Sequence, residues 1–197
     1  MSDNIIIIDY NSGNIKSLLN LLSFLQVEAK LSNKKEDILN AKKLLFPGQG
    51  HFKQAMDNLK KAGLIDTIKT AIDNKVDFLG ICLGLQILFE KSEEAPNVEG
   101  LGILKGEVKK FREGKIPQIG WNKVNVIKND SNLTNDYYYF VNSYYVAPED
   151  KSIIATTTNY GVEFCSSIKK DNLQAVQFHP EKSAQAGIEF FKKWLEL

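Results

Sequence analysis

Residues 76–90 read VDFLGICLGLQILFE. An apolar run breaks at Gly80, carries a cysteine at Cys82, breaks again at Gly84 and then resumes. A strand passing directly into a helix needs no glycine on either side of its junction. Glycine removes the Cβ where two stretches of backbone come close. The form Gly-x-nucleophile-x-Gly between strand and helix is a nucleophile elbow, a tight and strained turn that presents one side chain at the end of a sheet. Gly80-Ile81-Cys82-Leu83-Gly84 puts a thiol at that point. This reading predicts a strand over VDFLGI and a helix over residues 85–90. Cys82 then stands at the helix N-terminus, where the dipole and free N–H groups favour a thiolate, with Leu83 N–H the nearest donor to an oxyanion. The competing reading is a small buried cysteine between two packing glycines.

Outward from this turn, the first two-thirds of the chain alternates strand-like and helix-like segments. IIII at residues 5–8 reads as a short buried strand, and residues 13–24 carry Ile15, Leu18, Leu19 and Leu22 at helical spacing. VEAKL and KKLLFPG read as strands; residues 51–59 and 64–72 read as helices, with Gly63 between them as a C-cap. Such alternation predicts a parallel sheet covered on both faces. After Gly100 the pattern becomes GEVKKF, NKVNVI, YYYFVNSYYV, SIIATTT, VEFCSSI and LQAVQF, a series of strands extending that sheet in antiparallel or mixed fashion. Residues 184–197 close the chain as an amphipathic helix. With no repeat, low-complexity tract or linker, residues 1–197 are read as one domain.

A formal charge of +1, from 25 basic and 24 acidic residues, gives no electrostatic footprint for nucleic acid or an anionic membrane. Cys82 and Cys165 are the two cysteines, both in apolar surroundings, which suits a reducing compartment rather than a disulfide framework. No apolar run is long enough for a membrane span. The expectation is a cytoplasmic protein. Cys165, in VEFCSSI, lacks the glycine frame and reads as strand packing.

A catalytic thiolate needs a base, and the chain has two histidines. His179 follows the strand-like AVQF and precedes Pro180 and Glu181, with Pro180 expected to forbid helix and hold a fixed turn. Glu181 can then orient the imidazole as the acid of a triad does. A capping or core histidine is the alternative. His51, after FPGQG, reads as the structural start of a helix. Pro47-Gly48-Gln49-Gly50 is a strand-to-helix loop able to aim N–H groups at developing negative charge, but it is neither a Walker motif nor a dinucleotide fingerprint.

Taken in order, PGQG, GICLGLQ and FHPEKS resemble the class I, triad-type glutamine amidotransferases over the whole chain. IDYNSGNIKSL, PGQGHF, LGLQILFEKSEEAPNVEGLGIL, IGWN and YYYFVNSY are similar to the glutaminase subunits of imidazole glycerol phosphate synthases within that family. The resemblance implies a flavodoxin-like α/β fold, a parallel central sheet with antiparallel or mixed strands added in its C-terminal half. It implies Cys82, His179 and Glu181 as the triad; Gly48, Gln49, Gly50 and Leu83 as the oxyanion hole; and Gln86, Asn142, Ser143 and Tyr144 as the glutamine site. It further implies a (β/α)₈-barrel synthase subunit as partner, met near Asn14, Trp121, Tyr139 and Lys182, and neither metal nor cofactor. The implied function is hydrolysis of L-glutamine to glutamate and ammonia through a thioester, with ammonia passed to the barrel in histidine biosynthesis. Three positions depart from the family pattern: Gln118 and Asn142, where histidine is usual, and Gln49, often valine. They leave the triad untouched and bear on the partner, leaving open a paralogous subunit that supplies ammonia for amidation of a surface sugar; a free-standing cysteine hydrolase on a similar fold is a separate alternative.

Overall fold

The computed structural model describes residues 4–11 and 15–197. Its first half is built from strands β1 (Ile5–Ile8), β2 (Lys30–Ser32), β3 (Lys43–Gly48) and β4 (Asp77–Cys82), with helices α1 (Ile15–Phe24), α2 (Lys35–Leu39), α3 (Phe52–Ala62) and α4 (Ile65–Asp73). α5 (Leu83–Gln86) follows β4 directly. The second half adds β5 (Phe89–Ser92), β6 (Leu104–Lys110), β7 (Gln118–Lys123), β8 (Asn125–Val126), β9 (Tyr137–Asn142), β10 (Tyr144–Pro148), β11 (Ile154–Tyr160), β12 (Val162–Lys170) and β13 (Leu173–Val176), before α6 (Ala184–Leu195).

The main sheet runs β2-β1-β3-β4-β13-β12-β10-β6-β5. From β2 to β13 every neighbour is parallel, the strand order of flavodoxin-like sheets. β12, β10 and β6 then continue it antiparallel. β1 explains why its strand reads as unbroken isoleucine: Ile6 and Ile8 enter the core under α2, α3 and α4, while Ile5 and Ile7 enter the core under α1 and α6. A strand buried on both faces has no polar side to alternate with. Gly63 ends α3 in the left-handed region at φ 64°, as the sequence predicts.

Several expectations are corrected. The helix expected over residues 85–90 ends at Gln86, and Phe89–Ser92 is a strand parallel to β6. Leu85, Ile87, Leu88 and Phe89 are all fully buried, so no polar face marks a helical period. The carbonyls of Ile87 and Leu88 instead accept from Leu101, Ile103 and Leu104, which draws the chain away from helix. VEAKL contributes only Lys30 and Leu31 to a three-residue strand, and α2 was not foreseen, because Ile38 alone anchors it. β7 and β9 do not extend the main sheet; they pair with each other as a separate ribbon over the α1/α6 side, Tyr138 and Phe140 pointing into that core. Pro180 does not exclude helix altogether: it opens a single 3₁₀ turn, Pro180–Lys182, where its missing N–H is not needed.

The two glycines around Cys82 have a concrete cause. Gly48 pairs with Cys82 across β3 and β4. A Cβ on Gly48 would overlap the Gly84 nitrogen and stand 2.7 Å from Leu83 Cβ. One on Gly84 would overlap the Phe46 carbonyl, and one on Gly80 would stand 2.7 Å from the Gly84 carbonyl. Three glycines therefore let α5 rest directly on the ends of β3 and β4, which aims residue 82 outward from the sheet.

Candidate active site

Cys82 takes φ 56° and ψ −107°, a conformation that few residues with a Cβ tolerate. It is 8% exposed and forms part of the wall of a cavity of about 340 Å³ at the carboxyl end of the parallel strands. Ligands in open α/β sheets bind at that end. A larger concavity, about 860 Å³, lies between α1 and β2 and is lined by neither cysteine nor histidine.

His179 closes the other side of the thiol. Its backbone N–H donates to the Tyr139 carbonyl at 2.8 Å, and its carbonyl accepts from Ser183 Oγ at 2.7 Å, so the ring hangs from a fixed main chain. Nδ1 lies 2.8 Å from Glu181 Oε1, with both side chains under one-tenth exposed. That leaves Nε2 as the ring nitrogen free to serve the Cys82 sulfur. Burial pulls the imidazole toward the neutral form, but the charge and hydrogen bond of Cys82, with those of Glu181, outweigh it and push the His179 pKa up to about 10. The imidazole thus stands between the Cys82 sulfur and a buried carboxylate. His51 is elsewhere, capping α3 by accepting the Lys53 N–H at 3.2 Å, and Cys165 is buried in β12 with its thiol pushed up to about 12 by desolvation.

The cavity wall brings together most of the residues expected there. Gln49, Gly50, Leu83 and Gln86 line it from the elbow and the turn after β3, and Asn142, Ser143 and Tyr144 line it from β9 and β10. Gly48 is not among them; it serves the packing against Gly84. Lys182, expected at a partner face, also lines the cavity. Trp121 and Tyr139 meet across β7 and β9 with ring centroids 6.1 Å apart, Trp121 half exposed. Asn14 lies outside the described residues.

Gln118 and Asn142, two positions that depart from the family pattern, are direct partners in the β7–β9 register and both are buried. Asn142 Nδ2 donates to the Tyr144 carbonyl at 2.9 Å, while its oxygen and both amide atoms of Gln118 have no hydrogen-bond partner. Two residues escaped the sequence reading. Glu94 lines the cavity and accepts the Phe52 N–H at 2.7 Å, bracing the start of α3; no motif marks it. Gln177 is fully buried beside Cys82, and the only signal was a polar residue inside the apolar AVQF run.

Residues 6–196 match the family model for glutamine amidotransferase class-I. The chain is 45% identical to the imidazole glycerol phosphate synthase subunit HisH of Methanocaldococcus jannaschii, over 97% of this chain and 98% of that one. It is 44% identical to HisH 1 of Methanococcus maripaludis, covering 98% and 99%. The chloroplastic hisHF protein of Arabidopsis thaliana is 44% identical over 98% of this chain, a segment that makes up 34% of the plant protein. Among solved structures, PurLQS from Thermotoga maritima superposes with a TM-score of 0.78 at 18% identity, covering 100% of this chain and 99% of that one, a likeness of fold. The chain belongs to the class-I glutamine amidotransferases and, within them, to the HisH subunits of imidazole glycerol phosphate synthase.

Proposed function

We propose that Cys82, His179 and Glu181 hydrolyse L-glutamine and that the ammonia passes to a separate (β/α)₈-barrel synthase subunit in histidine biosynthesis. The observation that carries this reading is the strained Cys82 beside a histidine whose far nitrogen is held by a buried carboxylate. The Cys82 thiolate attacks the carboxamide carbon of glutamine. Negative charge moves to the carbonyl oxygen, where Leu83 N–H and a peptide N–H of the Gln49–Gly50 turn are the donors. His179 gives its proton to the departing nitrogen as the C–N bond breaks, and ammonia and a thioester result.

Thioester formation also resets the base. The sulfur no longer carries charge, so the strongest influences holding the proton on His179 vanish while burial remains. The imidazole then takes a proton from water, hydroxide attacks the thioester carbonyl, and glutamate leaves as Cys82 returns to thiolate. Glu181 orients the ring throughout. Glu94 and Lys182, charged groups of opposite sign on the cavity wall, match the α-ammonium and α-carboxylate of the substrate.

Ammonia released into water is protonated and lost as a nucleophile, which is the physical reason for coupling the site to a partner. In the Arabidopsis relative the matching segment is about a third of a longer chain, which supports a second unit working beside it. The half-exposed Trp121, with exposed Ile119 and Tyr137, gives that partner an apolar surface on the β7–β9 ribbon. The near full-length likeness to HisH subunits favours the histidine pathway over surface-sugar amidation and over a free-standing hydrolase. Growth tests the reading: the chain, expressed with the barrel subunit of its own genome in a histidine auxotroph lacking the glutaminase subunit, restores growth at low ammonia. No growth alongside intact glutamine hydrolysis in vitro would hand the assignment to the surface-sugar alternative. Turnover of peptides in preference to L-glutamine would hand it to the hydrolase.

A further inference from the structure

Gln177 stands two residues before His179, and its side chain is wholly shielded from solvent. A buried primary amide brings two donors and an acceptor that all require partners. Its Nε2 lies 3.6 Å from Cys82 Sγ, and its Oε1 accepts from Gln86 Nε2 at 3.0 Å. The same Gln86 nitrogen donates to the Tyr144 backbone carbonyl at 3.3 Å. Oxygen and nitrogen of an amide have nearly the same shape, so its orientation is assigned from its partners. Here the partners admit one assignment. A carbonyl only accepts, so Gln86 turns its –NH₂ toward Tyr144. An –NH₂ only donates, so the Gln177 atom facing Gln86 is oxygen. The atom left facing the sulfur is therefore the Gln177 –NH₂.

We infer that Gln177 is a positioning residue for the nucleophile: its amide N–H holds the Cys82 sulfur as a thiolate, and Gln86 keeps that amide the right way round. This rests on the glutaminase reading and refines it. A neutral Cys82 thiol has an acceptor of its own in the Val141 carbonyl, 3.9 Å away. A thiolate has no proton to give that carbonyl and needs donors instead. His179 is one, but it surrenders its proton during the reaction. Gln177 is a donor that never titrates. Its anchor is the backbone of β10, reached through Gln86, which itself lines the cavity. The sulfur and the wall opposite it are thus held by one continuous run of amides.

The test is alkylation of the full-length chain by iodoacetamide at neutral pH, in which the Cys82 thiolate displaces iodide; peptide mass spectrometry separates Cys82 from Cys165. Gln177→Met keeps length and removes the donor. Because a hydrogen bond to an ion is worth roughly tenfold or more in an equilibrium, alkylation should slow about tenfold and the ultraviolet thiolate absorbance should fall. On glutamine, kcat should fall by a similar factor with KM nearly unchanged, the split expected of a group that touches the nucleophile and not the substrate. Gln86→Met should slow alkylation as well, by about threefold, although Gln86 does not touch sulfur, because Gln177 is then free to turn its oxygen inward. An unchanged alkylation rate in a folded Gln177→Met variant overturns the inference. Should that variant fail to fold, an unchanged rate in Gln86→Met overturns it equally. Slowed alkylation in a protein whose wild type never turns over glutamine would sustain the positioning role and refute the glutaminase reading instead.

Discussion

Cys82 holds its left-handed backbone at a cost of about 1–3 kcal/mol for a residue with a Cβ, a strain tolerated because α5 and the ends of β3 and β4 leave the chain no other course. A smaller side chain there opens little space. Cys82→Ala should therefore lose glutamine hydrolysis entirely while its thermal midpoint stays within a few degrees of wild type; residual turnover above background would remove Cys82 from the chemistry. If, as proposed, one transfers protons and the other orients the ring, His179→Ala should lower kcat by on the order of 10³-fold and Glu181→Gln by about ten- to a hundredfold. Equal losses in steady-state assays would contradict that division. The imidazole also supplies a pH signature. Its folded pKa of about 10 stands above the ordinary 6.5, so the stability it contributes is fully present below about 6.5 and is lost as pH rises through about 10. Removing the sulfur takes away two of the causes that raise it. NMR titration should thus find His179 still protonated at neutral pH in wild type and releasing its proton at markedly lower pH in Cys82→Ala. The other histidine, His51, serves as the internal comparison. Identical titration in both proteins would mean that sulfur and imidazole are not coupled.

At the scale of elements, the packing of α5 on β3 and β4 depends on the absence of three side chains. Gly84→Ala would drive a Cβ into the Phe46 carbonyl, which is backbone and cannot swing aside. The variant should be destabilised by on the order of 1–3 kcal/mol in urea unfolding and should lose alkylation of Cys82 as the elbow shifts. Wild-type stability there would mean the helix is not held by this contact. This part of the fold was legible in the sequence because it is local: two glycines flanking a cysteine admit few structures. His179 with Glu181 was legible for the same reason. The elbow's helix was overextended because residues 85–89 are buried on every side, and a period needs a polar face to be seen. β5 depends on hydrogen bonds from residues 101–104, and the β7–β9 ribbon on a register that no local pattern encodes. Glu94 and Gln177 were missed because their roles rest on contacts distant in the chain, Phe52 N–H for one and Cys82 Sγ and Gln86 Nε2 for the other.

For the molecule as a whole, the β7–β9 ribbon is the element that touches both the site and the outside. Inward, Tyr139 receives the His179 N–H, the Val141 carbonyl lies near the Cys82 sulfur, and Asn142 lines the cavity. Outward, Ile119, Trp121 and Tyr137 lie exposed on the same two strands. A protein that covers the outer face therefore touches the same strands that line the inner one, and the turn at Gln49 and Gly50 lines that same cavity. Gly50, at φ 109°, occupies backbone space that lets a peptide N–H there be re-aimed without a side-chain clash. On the function proposed above, the isolated chain should be a poor glutaminase, and the proposed barrel subunit, bound with an acceptor ligand, should raise kcat by at least tenfold, as ordering of a catalytic loop does. Trp121→Ala separates binding from chemistry. Loss of a central aromatic anchor costs about 2 kcal/mol or more, so partner affinity should weaken about thirtyfold. Alkylation of Cys82 in the isolated chain, which reads the nucleophile alone, should not change. Saturating partner should then restore most of the stimulated rate. A Trp121→Ala chain that binds its partner normally, or a wild-type chain already at full speed alone, would show that the ribbon's outer face does not govern the site behind it.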